Sequence, residues 1–247
     1  MCSPRPELRE RLSPDDWGLS PGVNEAILEL ARAGVVHTVS LLANLPFLEQ
    51  GLAELRASGV RLAAHLNFTL GIPLEGDTAS LTGPDGAFRP FRAFFTRGIL
   101  GRIDAQEVER EASAQLERLR SLVPIASANG HENVHTFPWL AEPLAKACRQ
   151  QGILRIRRMV DWSHRPSAFG SRVSARAFER VFPEVEWEET AYLWPTGGLG
   201  SASILAKLKR TPGLPLLAHP SVRDDFSALE FSDALRAERV REFQALQ

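Results

Sequence analysis

Ser20-Pro-Gly-Val-Asn-Glu-Ala-Ile-Leu-Glu-Leu-Ala-Arg-Ala-Gly34 runs straight into Val35-Val-His-Thr-Val-Ser-Leu-Leu42. The change of period between these two halves decides the fold class. In the first half Val23, Ala26, Ile27, Leu30 and Ala31 recur at helical spacing. Ser20 can cap that helix, Pro21 suits its first position and Gly34 suits its end. The second half is a short apolar run, which reads as a buried strand. A helix feeding a buried strand is the repeating unit of a parallel sheet.

The same alternation continues outward. A helix is expected around Leu48–Ser58, stopped by Gly59, with a strand over Val60–Leu66. Residues 67–102 are rich in Gly, Pro and Phe and read as a long loop or lid. Asp104, with Glu107 three residues on, opens the next helix as a capping box. Val108, Ala112, Leu116, Leu119 and Val123 carry its apolar face. A short strand near Pro124–Ala128 leads into Asn129-Gly130-His131. Helix Trp139–Gln150 ends at Gly152, and Ile153–Met159 is another strand. Asp161–Ser171 is less regular. A helix around Ser171–Phe182, a strand at Val185–Trp187, a helix at Ser201–Lys209 and a strand at Leu214–Ala218 follow. A charged final helix begins beyond Ser227. Residues 1–13 read as an irregular N-terminal segment and 14–247 as one α/β domain. With six or more such units and no glycine-rich dinucleotide fingerprint, a distorted parallel β/α barrel is expected rather than a Rossmann sheet.

Composition narrows the function. The 247 residues carry 29 Lys+Arg against 30 Asp+Glu, a net charge of −1, so the basic excess of a nucleic-acid binder is missing. No apolar run approaches the ~20 residues of a membrane span. The start, Met1 to Pro14, is charged and lacks the apolar core of a secretory signal. Cys2 and Cys148 give no disulfide framework, and a cytoplasmic protein is expected.

Polar clusters fall where strands are expected to end: Asp15-Asp16, His65, His131 with His135, and His219. In a barrel those ends share one face, so the side chains can meet although distant in sequence. Singly, each has a plainer reading. The aspartates could fix a turn, His65 could be a hydrogen-bonded core histidine, and His219-Pro220 could simply end a strand. His131 and His135 have helical metal-pair spacing, but Gly130 and Pro138 bracket them. Taken together, they suit metal-assisted hydrolysis. One carboxylate and two imidazoles can hold a divalent ion, a second carboxylate can take a proton from water, and a further histidine can protonate a leaving amine. There is no G-x-S-x-G elbow and no Walker A loop. Cys148 lies in an amphipathic pattern and reads as core. Arg155, Arg157 and Arg158 read as an anion site or a paired polar strand face. Trp17, Phe68 and Trp194 are candidates either to stack on sugar rings or to pack in the core.

The sequence resembles the YdjC-like carbohydrate deacetylases over about Pro14 to Asp225. The resemblance rests on Asp15-Asp-Trp-Gly-Leu-Ser-Pro-Gly-Val-Asn-Glu-Ala-Ile27, Thr38-Val-Ser-Leu-Leu-Ala-Asn44, His65-Leu-Asn-Phe-Thr-Leu-Gly-Ile-Pro73, Gly98-Ile-Leu-Gly-Arg-Ile-Asp104, Asn129-Gly-His-Glu-Asn-Val-His135 and Leu217-Ala-His-Pro220. It implies a distorted barrel of the NodB-like or TIM-like kind that removes an acetyl group from an N-acetylated sugar. By the family pattern Asp16, His65 and His131 are the metal ligands and Asp15 the general base. His219 is the general acid by similarity to barrel deacetylases more widely. The resemblance implies magnesium, whereas two imidazoles suit zinc or another transition metal at least as well. An N-acetylated saccharide is the implied partner, and a homodimer is compatible with the family.

Four departures stand out. The first strand is broken by charge, Leu8-Arg-Glu-Arg-Leu-Ser-Pro14. Asn133 replaces the middle histidine of a D-G-H-x-H-x-H segment. Ser221 follows His219-Pro220 in place of glycine, and the lid is short. Two rival readings therefore stand beside the deacetylase. One is a non-catalytic carbohydrate-binding protein on the same scaffold. The other is a metal-dependent hydrolase of a glycosidic or phosphoester bond.

Overall fold

A computed structural model describes residues 8–76, 78–160, 175–192, 201–225 and 233–246. The strands are β1 (Leu12–Pro14), β2 (Thr38–Leu41), β3 (Arg61–Leu66), β4 (Ser127–Gly130), β5 (Arg155–Met159), β6 (Glu186–Tyr192) and β7 (Leu216–Ala218). The helices are α1 (Pro21–Arg32), α2 (Leu52–Ala57), α3 (Phe91–Ile99), α4 (Ala105–Leu122), α5 (Ala141–Gln150), α6 (175–181), α7 (Ser201–Arg210) and α8 (Asp233–Leu246).

All seven strands are parallel, in the order β1-β7-β6-β5-β4-β3-β2, so chain neighbours are sheet neighbours. Bridges Leu12↔Val36 and Trp17↔Leu41 bring β1 against β2 and nearly close the barrel. The His37 N–H donates to the Leu12 carbonyl at 2.7 Å, and the Trp17 N–H to Ser40 at 3.1 Å. The expected α/β barrel is therefore what the chain forms. Its loosest ladder is β4–β5, where Ala128↔Ile156 is the register pair.

The first helix follows its sequence signals. Ser20 Oγ accepts the Val23 N–H, Pro21 is the first residue, and Gly34 takes the left-handed conformation at φ +70. Elsewhere tertiary partners reshape what local pattern suggests. Leu12 and Ser13, read as part of an irregular segment, pair with Leu216 and Leu217, and Leu8 is buried. The charges of Arg9, Glu10 and Arg11 hide that strand in the sequence. Helix α2 starts at Leu52 rather than Leu48. The carbonyls of Phe47 and Gln50 are taken by Asn24 Nδ2, and that of Leu48 by Trp17 Nε1, so the turn before it is diverted from helix. Residues 67–102 contain α3, which buries Phe94 and Gly98. The preceding segment is fastened to α4. Glu107 accepts the Ser80 N–H, Glu111 the N–H groups of Leu74 and Glu75, and Gln115 that of Asn67. These three side chains lie four residues apart on one helix face, one fastening per turn. β6 extends to Tyr192, beyond the expected Trp187. Its glutamates pair across the sheet, Glu186 with Arg155 and Glu189 with Arg158, while Glu188 accepts from Ser127 Oγ at 2.7 Å.

The irregular stretch Asp161–Ser171, the glycines at 197, 198 and 200, Trp194, Cys2 and the start of the expected tail at Ser227 lie outside the described residues. Trp17 and Phe68 are fully buried, which assigns both to the core. Cys148 is buried too, and burial pushes its thiol up to about 12, so it is inert at neutral pH. Among the described residues no helix is long and apolar enough to cross a membrane.

Candidate active site

The barrel delivers Asp15 and Asp16 from just past β1, His65 from β3, His131 from the turn after β4, and His219 from just past β7. These ends share one face of the parallel barrel, so residues more than a hundred positions apart become neighbours. Asp15, Asp16, His65 and His131 are buried together; His219 is half-buried. Asp16 sits at φ +71, a left-handed conformation that costs a non-glycine residue about 1 kcal/mol or more.

The two adjacent carboxylates have different partners. Asp15 Oδ2 and Oδ1 accept from Nη1 and Nη2 of Arg157 at 2.7 and 2.9 Å, a two-point clamp. Arg157 Nη2 also donates to Ser13 Oγ at 3.0 Å and Ser40 Oγ at 2.9 Å. Burial alone would raise the Asp15 pKa. The Arg157 guanidinium, together with His65 and His219, outweighs it and holds the group at about 2, so Asp15 is ionised at neutral pH. Asp16 instead faces imidazoles. Its Oδ1 is 2.8 Å from His131 Nδ1 and 3.2 Å from His65 Nε2, and its Oδ2 accepts from Arg239 Nη2 at 2.6 Å. Burial again opposes ionisation, but Arg239 and His131 together hold its pKa well below the usual carboxylate range.

His65 is oriented by a relay. Asn129 Nδ2 donates to Ser40 Oγ at 2.9 Å, which turns Asn129 Oδ1 toward His65 Nδ1. That contact orients the ring so that Nε2 faces Asp16 Oδ1 at 3.2 Å. Asp16, His65 and His131 each offer a ligand atom, and these atoms lie within 4.8 Å of one another. The set fits a divalent metal ion.

His219 is close enough for Asp15, Asp16 and His65 to affect its titration. Burial, reinforced by Arg239, lowers it to about 4, so it is neutral at pH 7. Its backbone N–H donates to Glu242 Oε1 at 2.6 Å. His135 does not join the other two histidines. Its Nε2 lies 3.2 Å from the Arg157 carbonyl, across the loose β4–β5 ladder, and burial holds it neutral with a pKa of about 3. The segment His131–Thr136 is a 3₁₀ turn broken at Glu132 and Asn133, both left-handed, which separates the two rings. Gly130 is required beside it, because a Cβ there would lie 2.9 Å from the His135 backbone nitrogen.

Sequence reasoning leaves three participants without their role: Arg157, expected only to meet an anion or to lie on a paired polar strand face, Asn129 and Arg239. An arginine in the middle of a strand that faces a barrel interior is a signal for the first, because a buried guanidinium must meet a carboxylate. Asn129 and Arg239 carry no such local signal.

Known proteins agree with this architecture. A family described as YdjC-like protein matches residues 12–247. A human protein named carbohydrate deacetylase is 32% identical over 154 residues, 60% of this chain and 48% of that protein. Carbohydrate deacetylase 1 of Listeria innocua is 34% identical over 170 residues, 68% of this chain and 66% of its own length. The matches thus span from about half to about two thirds of the curated relatives' length. Among solved structures, an Enterococcus faecalis protein bearing the name cellobiose-phosphate cleavage protein superposes with TM-score 0.71 at 20% identity, covering 96% of this chain and 89% of that one. The lactam utilization protein of Thermus thermophilus does so with TM-score 0.53 at 12% identity, covering 96% and 95%. At these identities the structures speak for the fold.

Proposed function

The chain belongs to the YdjC-like family, and from that premise we propose that it is a metal-dependent hydrolase that removes the acetyl group from an N-acetylated sugar or small oligosaccharide. The names of its relatives support the substrate class. The observation that carries the chemistry is the divergence of two adjacent buried carboxylates, Asp15 clamped by Arg157 and Asp16 faced by two imidazoles. Neighbouring acids with different surroundings are how one site obtains two roles.

In this reading Asp16, His65 and His131 hold the ion and Asp15 is the proton acceptor. A divalent ion held there supplies Lewis acidity to an amide carbonyl and acidifies water, which an aspartate as weakly basic as Asp15 requires of its proton donor. Arg157 fixes the acceptor's orientation and keeps it ionised. The proton that Asp15 takes from water would pass to His219, neutral at pH 7, and from it to the departing amine. The three-residue set favours zinc or another transition metal over magnesium. A homodimer and a cytoplasmic location are the family- and composition-based expectations that go with this reading.

The test is metal analysis combined with acetate release from N-acetylated sugars. Wild type should bind about one ion per chain and release acetate. Asp15→Asn should keep the ion and lose about 10²–10⁴-fold in kcat. His65→Ala and His131→Ala should lose the ion. Reducing ends or phosphate in place of acetate would indicate another bond. Saccharide binding without turnover would indicate a binding protein. Metal lost in Asp15→Asn would refute the division of roles.

A further inference from the structure

The C-terminal helix α8 buries charge. Arg239 and Glu242, one turn apart, are both buried, alongside Phe243 and Leu246. A buried ion costs several kcal/mol before its partners offset it, so such a face calls for specific partners. It has three on the site face of the barrel. Arg239 Nη2 donates to Asp16 Oδ2 at 2.6 Å, Glu242 Oε1 accepts the His219 N–H at 2.6 Å, and the Arg239 carbonyl accepts the Ser221 N–H at 3.2 Å.

The two oxygens of Asp16 are thereby divided. Oδ2 is held by the guanidinium, while Oδ1 is the oxygen that both histidine nitrogens approach, at 2.8 and 3.2 Å. A charge-assisted bond of this length removes an oxygen from easy ligation. We propose that Arg239 is a positioning residue that makes Asp16 a one-oxygen ligand, and that α8 is the element that sets the coordination number of the ion. This rests on Asp16, His65 and His131 holding a metal. Without Arg239 both oxygens of Asp16 are free to turn toward the ion, and the added ligand atom raises its coordination.

Cobalt(II) is the probe, because it suits the same nitrogen and oxygen donors and its visible absorption weakens as coordination rises. The full-length protein is titrated with cobalt as wild type, Arg239→Ala, Arg239→Lys and Asp16→Asn. Wild type should develop a visible band that Asp16→Asn does not. In Arg239→Ala that band should shift and lose roughly half of its intensity. Lysine keeps the charge but offers a point donor in place of a planar fork, so Arg239→Lys should fall between the two. A purely structural ion pair would lower the thermal midpoint and leave the band unchanged. A wild-type band retained in every folded Arg239 variant therefore overturns the assignment. If Arg239→Ala does not fold, Arg239→Lys alone decides it in the same way. Absence of any cobalt band in wild type, with no cobalt retained on desalting, overturns the metal reading itself and this inference with it.

Discussion

Arg157 and Asp15 meet through two parallel hydrogen bonds of 2.7 and 2.9 Å, joining the strand that opens the barrel to one four strands later. Both side chains are nearly inaccessible, at 2% and 4% exposure. Such a pair is costly to break on one side only, because the remaining charge is buried without compensation.

Arg157→Leu should therefore destabilise the fold by about 3–5 kcal/mol and raise the Asp15 pKa. The double variant Asp15→Asn with Arg157→Leu should recover part of that loss, since neither charge is then orphaned. Urea unfolding of the two single variants and the double variant measures both effects. Equal losses in Arg157→Leu and in the double variant would show that the pair is not the source.

The relay through Asn129 orients the His65 ring, with Nε2 toward Asp16. Asn129→Ala removes the acceptor for Nδ1 and should weaken zinc or cobalt affinity about 10–100-fold, as loss of a ligand's supporting partner does elsewhere. Asn129→Asp supplies an acceptor in the same place and should retain the affinity. Competition with a chelator reads both. Full affinity in Asn129→Ala would remove the relay from the account.

Glu242 gives a pH signature. Burial raises its pKa from an ordinary 4.5 to about 7, against smaller opposing effects of the His219 N–H and Arg239, with Glu238 adding to the rise. The folded state thus holds this proton more tightly than the unfolded chain does. That contribution to stability is complete below about pH 4.5 and is lost as pH rises toward 7, for a total of about 3 kcal/mol. Glu242→Gln mimics the protonated form. It should match wild type at pH 5 and exceed it at pH 8. Denaturant midpoints at the two pH values check this, and parallel curves for both proteins would contradict it.

The legible part of the molecule was that governed by local periodicity and capping. Ser20, Pro21 and Gly34 bound α1 as expected, Asp104 caps α4 through the N–H groups of Gln106 and Glu107, and each expected strand has its counterpart among the described residues. What was obscure depends on distant partners. Leu12 and Ser13 are a strand because Leu216, Leu217 and Val36 lie beside them, and no window around Arg9–Arg11 contains that information. The segment before α3 is anchored because Glu111, on another element, supplies acceptors to Leu74 and Glu75. Among the residues that meet on this face, Asp15, Asp16, His65 and His131 could be picked out because chemistry-bearing types fell at strand ends. Asn129 and Arg239 are ordinary polar residues until the fold supplies the atom each one holds.

The bond between Arg239 and Asp16 spans 223 positions of sequence. During synthesis at ~5–20 residues per second, Asp16 is made roughly 10–45 s before the arginine that answers its charge. Over that interval His65 and then His131 are added, and until residue 239 is made one oxygen of the carboxylate is without its guanidinium. The earliest-made and latest-made described parts of the chain therefore complete one another. A chain that stops short of residue 239 carries most of the barrel but lacks the guanidinium that holds Asp16 Oδ2.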